Sequence, residues 1–204
     1  MATNKNSIIR LSRYKNSLYR LKALGFIKVF SDNLADSVGV TSSQVRKDFS
    51  MFNITGNKRG GYDINKLIEK MNRILGKDKL HKAIIVGQGK IGTALKEYSG
   101  FKTEGIEISA TFDIDPSKYD KSKDIPVLSL EELKDFVKQN KIKIGIIAVP
   151  EIAAQYVADI MISSGIKGIL NFAPIQIKGV EDCIINNVNL VLELENVIYF
   201  VDAM

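Results

Sequence analysis

Few segments restrict a fold as tightly as the run from Ala83 to Tyr98. Four apolar residues, Ala83-Ile84-Ile85-Val86, lead straight into Gly87-Gln88-Gly89-Lys90-Ile91-Gly92, and a helical pattern continues through Thr93-Ala94-Leu95-Lys96-Glu97-Tyr98. A strand, a Gly-x-Gly-x-x-Gly turn and a helix in that order predict the first βαβ crossover of a Rossmann-like sheet. Gly87 permits the tight turn, Gly89 lets the backbone approach a pyrophosphate, and Gly92 lets the helix lie close on the strand. The helix N-terminus then offers N–H groups to an anion. The rest of the chain fits that frame. Strands are expected at Ala83–Val86, Ile106–Phe112, Ile144–Val149, Gly168–Asn171 and Leu190–Val191. Helices are expected at Ile91–Tyr98, Leu130–Gln139, Ile152–Ser163 and Glu193–Val201. Ile/Val-rich strands between amphipathic helices indicate a doubly wound parallel sheet.

Asp113 ends the second expected strand, 21 residues beyond Gly92, in Phe112-Asp113-Ile114-Asp115-Pro116. A carboxylate there accepts bonds from adenosine ribose hydroxyls and repels a 2′-phosphate, which argues for NAD(H) over NADP(H). Asp115 reads as a turn residue before Pro116. The loop residues Gly87, Gln88, Gly89, Lys90, Ile91 and Gly92, with Asp113, Ile114 and Tyr98, are the candidate cofactor residues. Val149 and Pro150, and Asn171, Phe172 and Ala173, end strands at the carboxyl edge where ligands bind in such sheets, so they join the set. A sheet of this kind binding coenzyme A, another nucleotide or nothing stays open at this point.

The first 80 residues are built differently. They hold 16 Lys and Arg against 6 Asp and Glu, a balance of +10, whereas residues 81–204 hold 13 against 17, a balance of −4. A basic front on an acidic back suits a polyanion partner, nucleic acid first. The boundary is expected in the polar stretch Gly76–Lys82, giving domains 1–79 and 80–190, with a separate C-terminal helix over 191–204.

Within the basic part, Ile8, Leu11, Leu18, Leu21 and Leu24 set out a helix that Gly25 ends. Ser31 is read as the cap of a short helix, Asp32–Ser37. Gly39-Val40 makes a turn. Thr41 caps the next helix, with Gln44 closing a capping box, and this helix runs to about Phe52. Ala35, Gly39, Val40, Val45, Phe49 and Phe52 supply the small residue, the turn and the plug of a helix-turn-helix. Its outward residues are the candidate DNA readers. Arg46 suits bidentate contact with guanine, Ser42, Ser43 and Gln44 its neighbours, and Lys47 a phosphate. Residues 54–64 read as a β-hairpin whose basic tip, Lys58, Arg59 and Gly60, makes a wing for a narrow minor groove, with Tyr62 at its base. A last helix is expected at Lys66–Leu75. The fold class is therefore α/β with two domains, an N-terminal winged helix-turn-helix followed by a Rossmann-like doubly wound sheet.

Other functions fit less well. His81, the sole histidine, falls in the boundary, away from the sheet's carboxyl edge, and no residues are left for a substrate domain. The chain is read as no enzyme, with no catalytic residue and no metal site; a small NAD-dependent oxidoreductase is the alternative from another class. No apolar run approaches the ~20 residues that span a bilayer, and Met1–Asn6 lacks the apolar stretch of a secretory signal. The lone Cys183 reads as a reduced, buried small residue, so the expected compartment is the cytoplasm.

Several segments together resemble the redox-sensing transcriptional repressor (Rex) family: Gln44–Ser50, Lys58–Tyr62, the Gly87–Gly92 loop with Tyr98, Phe112–Pro116, and Gly165–Pro174. The resemblance implies a homodimer on a palindromic double-stranded DNA operator, repression released by NADH and not by NAD⁺, and a C-terminal helix exchanged between subunits. The apolar residues Leu192, Leu194, Val197, Ile198 and Val201 of that helix agree with burial in a partner, or in its own domain. The family commonly carries an Arg on the first helix and an Asp before the last one, near the Tyr that follows the glycine loop. Here Asn16 and Asn189 stand at those positions, so a charge-assisted pair is replaced by two amides. A rewired switch and a weakened or different ligand response are both consistent with that change.

Overall fold

In a computed structural model, residues 5–56 and 60–204 are described. The chain divides into two compact units, Met1–Lys79 and Leu80–Met204.

The first unit holds α1 (Lys5–Ala23), β1 (Lys28–Val29), α2 (Ser31–Val38), α3 (Ser42–Met51), β2 (Tyr62–Asp63) and α4 (Ile64–Ile74). Leu11, Tyr14 and Leu18 form the buried stripe of α1, at the i, i+3, i+7 spacing of one helix face. Leu24 falls past its end and is exposed. Gly25, at φ +85°, takes the left-handed position that closes the helix. The stripe packs with Leu34, Ala35, Val45, Phe49, Leu67 and Met71 into one core. Phe49 is its pivot, edge-on to Tyr14 at 5.7 Å and to Tyr62 at 5.1 Å. Such ring pairs add ~0.5–1.5 kcal/mol each beyond area burial.

Four local expectations are corrected here. Ser31 lies inside α2; the cap position is Phe30, whose N–H donates to Asn33 Oδ1 at 3.1 Å. Thr41 does cap α3, accepting from Gln44 N at 3.1 Å, but the Gln44 side chain does not return to close a capping box. It turns forward to Asp48, at 2.9 Å. The expected hairpin within 54–64 is replaced by a longer-range pair, in which β2 runs antiparallel to β1, Val29 opposite Tyr62. Ile54 is buried in the core instead of forming a strand edge. Finally α4 starts at Ile64, not Lys66, because Asp63 Oδ1 accepts from Lys66 N.

The second unit holds β3 (His81–Val86), α5 (Lys90–Glu97), α6 (Gly100–Thr103), β4 (Ile106–Asp113), β5 (Val127–Ser129), α7 (Leu133–Gln139), β6 (Ile144–Ile147), α8 (Glu151–Ser164), β7 (Gly168–Asn171), β8 (Ile184–Asn187) and α9 (Leu190–Asp202). The strands form one sheet in the order β5-β4-β3-β6-β7-β8, every neighbour parallel. Alternation on β3 sends Ile84 and Val86 to one apolar layer and Ala83 and Ile85 to the other. A strand buried on both faces must be apolar throughout, which is why β3 carries no polar residue after Lys82. The strand order reverses between β3 and β6, so a crevice opens beyond their carboxyl ends.

The strands differ from expectation at three places, and the first is that β6 ends at Ile147, not Val149. Val127–Ser129 has only three residues, too few for a period to show in sequence. Leu190-Val191 is not a strand; the last one is Ile184–Asn187, and Leu190 begins α9. Asn189 Oδ1 accepts from Val191 N and Leu192 N at 3.0 and 3.2 Å, satisfying helix donors that a strand would leave to a neighbour. Every residue of α9 is exposed, including Leu192, Leu194, Val197, Ile198 and Val201. The helix does not fold back to bury that apolar surface in its own domain.

Candidate functional site

The first candidate site is the outer surface of α3. Gly39, at φ +74°, donates its N–H to Ala35 O at 2.9 Å and makes the turn between α2 and α3. Ala35 and Val45 are buried at the crossing. With Val45 and Phe49 fixed inward, Ser43, Arg46 and Lys47 stand exposed, and Ser42 and Gln44 are half-buried. Arg46 donates to Ser43 Oγ at 3.2 Å, one turn back along the same face.

Beneath that surface lies a buried carboxylate that the sequence reading passed over. Asp48, wholly inaccessible, accepts from Arg10 at 2.6 and 2.7 Å, from Tyr14 Oη at 2.9 Å and from Gln44 Nε2 at 2.9 Å. Burial alone pushes its pKa up, but the bonds from Arg10, Tyr14 and Gln44 outweigh burial and hold it below the ordinary carboxylate range. The same contact raises the Arg10 guanidinium, and burial with the Asp48 bond raises the Tyr14 phenol. A fork of donors from α1 thus clamps the recognition helix from behind. Gln44 spends its amide on that clamp, so the exposed outer face of α3 is left to Ser43, Arg46 and Lys47.

Of the expected wing, Lys58 and Arg59 lie outside the described residues. Gly60 is half-buried, and Gly61 takes φ +64°, where an added Cβ would meet Val29 O at 2.7 Å. Tyr62 faces the core through Phe49. Burial raises its phenol pKa, and the nearby Arg46 opposes that shift.

The second candidate site is the crevice at the reversal point. Gly87, Gly89, Asp113, Ile114, Val149 and Pro150 line one cleft of about 500 Å³ with Lys118, Leu130 and Tyr156. Gly87 holds φ +102° against Ala148, and Gly92 lies so near the Gly87 carbonyl that no side chain fits between them. Gln88 N donates to Asp113 Oδ2 at 2.7 Å, joining the glycine loop to the end of β4. Asp113 Oδ1 accepts from Asp115 N at 2.9 Å, and Oδ2 from Lys118 Nζ at 3.0 Å. Burial would raise the Asp113 pKa, but these three donors bring it below its usual value. Asp115 caps the turn Pro116–Lys118, accepting from Ser117 N, as a turn residue should.

A dinucleotide fits this cleft on two observations. Gly89 caps α5 without a side-chain acceptor, so the first-turn N–H groups are left for an anion. A Cβ at Gly89 would meet nothing within 4 Å, so open space stands where a phosphate approaches the backbone. Lys90 and Ile91 are exposed on the first turn of that helix, and Gln88 bonds Thr93 Oγ1 at 3.1 Å across it.

The remaining expected residues sit elsewhere. Tyr98 is at the far end of α5, edge-on to Phe101 at 5.2 Å, and lines a separate pocket with Lys96, Lys102 and Ile106. Asn171 is fully buried and its amide is consumed internally, donating to Ala173 O, Ile175 O and Asn187 Oδ1 while accepting from Ala173 N. It shapes the loop after β7. Phe172 and Ala173 pack into opposite apolar layers. The missed residues had weak signals: Tyr156 is one of several apolar positions on α8, and Lys118 joins the cleft only through the Asp115-Pro116 turn.

Among the described residues no cluster of His, Cys, Asp and Glu can hold a metal, and no helix is long and apolar enough to cross a membrane. Cys183 is buried, with its thiol pKa raised by burial.

A helix-turn-helix with a basic outer face, followed in the chain by a dinucleotide-type Rossmann unit, defines a nucleotide-responsive DNA-binding regulator. Comparison with known proteins gives the class a family. Residues 4–50 match the family "Putative DNA-binding protein N-terminus", and residues 78–175 match the family "CoA binding domain". The redox-sensing transcriptional repressor Rex of Desulforamulus reducens is 43% identical over 93% of this chain and 90% of its own length. A crystal structure of RSP in complex with beta-NAD⁺ and operator DNA superposes with a TM-score of 0.94 at 36% identity, covering 100% of this chain and 94% of that one. RSP in complex with beta-NADH gives 0.89 at 36% identity, over 100% and 96%. The chain belongs to the family of redox-sensing transcriptional repressors named Rex.

Proposed function

We propose that this chain is a DNA-binding transcriptional repressor that senses the NADH/NAD⁺ balance, binding a palindromic operator as a homodimer and leaving it when NADH binds. The observation that carries the reading is the cleft at the reversal point, where Gly87, Gly89 and the free N-terminus of α5 stand opposite Asp113. The glycine loop and the α5 N–H groups take the pyrophosphate, and Asp113 takes the adenosine ribose hydroxyls. A bound dinucleotide supplies no chemistry to this chain; its redox state biases the arrangement of the DNA-binding units. Coenzyme A fits less well, because its ribose carries a 3′-phosphate where Asp113 presents a carboxylate. The RSP structures with NAD⁺ plus operator and with NADH support the same assignment.

Ser42, Ser43, Gln44, Arg46 and Lys47, with the wing residues Lys58, Arg59, Gly60 and Tyr62, are the proposed DNA-facing set. Gln44 and Tyr62 act in it from below, as supports. The exposed apolar face of α9 docks on a second copy, which brings two recognition helices to half-sites about one helical turn apart or a multiple of it. Relatives and neighbours that are named repressors support a sensor over an oxidoreductase, and a repressor that works on the chromosome works in the cytoplasm.

Arg46→Ala tests the interface. It is expected to weaken operator binding by ~1–3 kcal/mol and to relax the preference at one base pair per half-site. Fluorescence anisotropy on a panel of single-base operator variants reads both effects. An unchanged preference profile would remove Arg46 from base reading.

A further inference from the structure

Lys118 alters the chemistry at the end of the cleft that Asp113 defines. Pro116–Lys118 is a single tight turn begun by Asp115, and it folds the chain back so that the Lys118 ammonium lies 3.0 Å from Asp113 Oδ2. Asp113 already accepts two backbone N–H groups, from Gln88 and Asp115. A carboxylate offers about four acceptor positions, so three are filled and a ribose diol needs two. The two backbone donors belong to the fold. Lys118 is the one partner on a rotatable side chain, and it lines the cleft itself.

The charge balance matters as much as the bonding. Asp113 and Asp115 bring two negative charges to this turn, and Lys118 cancels one of them. With Lys118 removed, a 2′-phosphate would face both carboxylates uncompensated. With it present, the ammonium leaves Asp113 free for the diol of NADH or turns toward a phosphate on the 2′ oxygen.

We propose that Lys118 is a specificity-determining residue, setting how strongly this cleft discriminates between NADH and its 2′-phosphorylated counterpart. The inference rests on the reading that a dinucleotide occupies this cleft with its adenosine ribose at Asp113. Asp113 alone would exclude NADPH; the Asp113–Lys118 pair makes that exclusion partial.

The test uses the full chain, with NADH binding followed by calorimetry and NADPH binding by displacement of NADH. Lys118→Met keeps the length and apolar stem but removes the charge. It is expected to weaken NADPH at least ~10-fold more than it changes NADH, and Lys118→Arg is expected to keep NADPH binding. An unchanged NADPH-to-NADH ratio in Lys118→Met, with NADH still bound, overturns the inference alone. So does a failure of NADPH to displace NADH from the unaltered chain. Absence of NADH binding to the unaltered chain overturns the dinucleotide reading and the inference with it.

Discussion

Asp48→Ala is expected to destabilise the helix-turn-helix unit by about 3 kcal/mol and to abolish operator binding at concentrations where the unaltered protein is saturated. The size follows from asymmetry. Asp48 is wholly buried and holds donors from Arg10, Tyr14 and Gln44. Removing the acceptor leaves a partly buried guanidinium and a fully buried phenol without it, and groups stranded in this way cost more than the intact cluster contributes. The loss also detaches α3 from α1, the helix that braces it. Acid provides a second signature. The folded-state pKa of Asp48 is lowered, so its contribution is fully present above the unfolded value near ~3.9 and is lost as pH falls through the folded value. Urea unfolding of the unaltered protein should therefore show a stability decline on acidification below about pH 4 that is reduced in Asp48→Ala. A change under about 1 kcal/mol at neutral pH would mean that the clamp is dispensable.

Gly92→Ala is expected to lower NADH affinity by about 100-fold, or ~2.7 kcal/mol, while leaving operator binding without nucleotide intact. A Cβ at Gly92 would sit 1.8 Å from the Gly87 carbonyl oxygen and 2.9 Å from its carbon. Both are backbone atoms of the phosphate loop, so no rotamer relieves the clash. Gly87 is itself set close against the residue that follows β6, where an added Cβ would meet Ala148 O at 2.5 Å. The methyl group must push the loop off α5, and a displacement near 1 Å is enough to spoil a site that works by backbone N–H geometry. The residues proposed to face DNA lie in the other unit, which keeps its own fold. Calorimetry with NADH checks the prediction; affinity within about 3-fold of the unaltered chain would show that the loop does not hold the pyrophosphate.

These two positions also mark where sequence reading succeeds and where it stops. Gly92 was legible because its role depends on neighbours in the chain: strand, turn and helix occur in sequence, and the motif states the geometry. The parallel sheet was legible for the same reason, through apolar runs such as Ala83–Val86 that only a doubly covered strand tolerates. Asp48 was not. Within Arg46-Lys47-Asp48 it looks like one more surface charge, and its partners Arg10 and Tyr14 lie 38 and 34 residues away. The β1–β2 pairing was missed because Lys28–Val29 is two residues long and far from Tyr62–Asp63, whereas a local hairpin across the glycines was the shorter connection. Leu190-Val191 misled because apolarity does not distinguish a strand from a helix when the deciding group is the Asn189 cap. In the cleft, the motif gave Gly87, Gly89 and Asp113, but Lys118 enters through a turn whose direction no periodicity encodes. Asn171 was legible as a strand end but not as a buried hub, because its partners at Ala173, Ile175 and Asn187 are set by how the loop closes.

The departure at Asn16 and Asn189 bears directly on the redox response. Asn189 spends its side-chain oxygen capping α9, and Asn16 is exposed on α1, so neither brings a charge that could couple nucleotide state to DNA affinity. The response must then come from elsewhere in the two units, and its size is a matter of measurement. The most direct one is operator affinity in a DNA shift assay on a palindromic site, titrated separately with NADH and with NAD⁺. The predicted result is at least a ~10-fold loss of affinity with NADH, a coupling of ~1.4 kcal/mol, and no loss with NAD⁺. Operator binding that is indifferent to both nucleotides, or equally weakened by both, would contradict a repressor that reads the NADH/NAD⁺ balance.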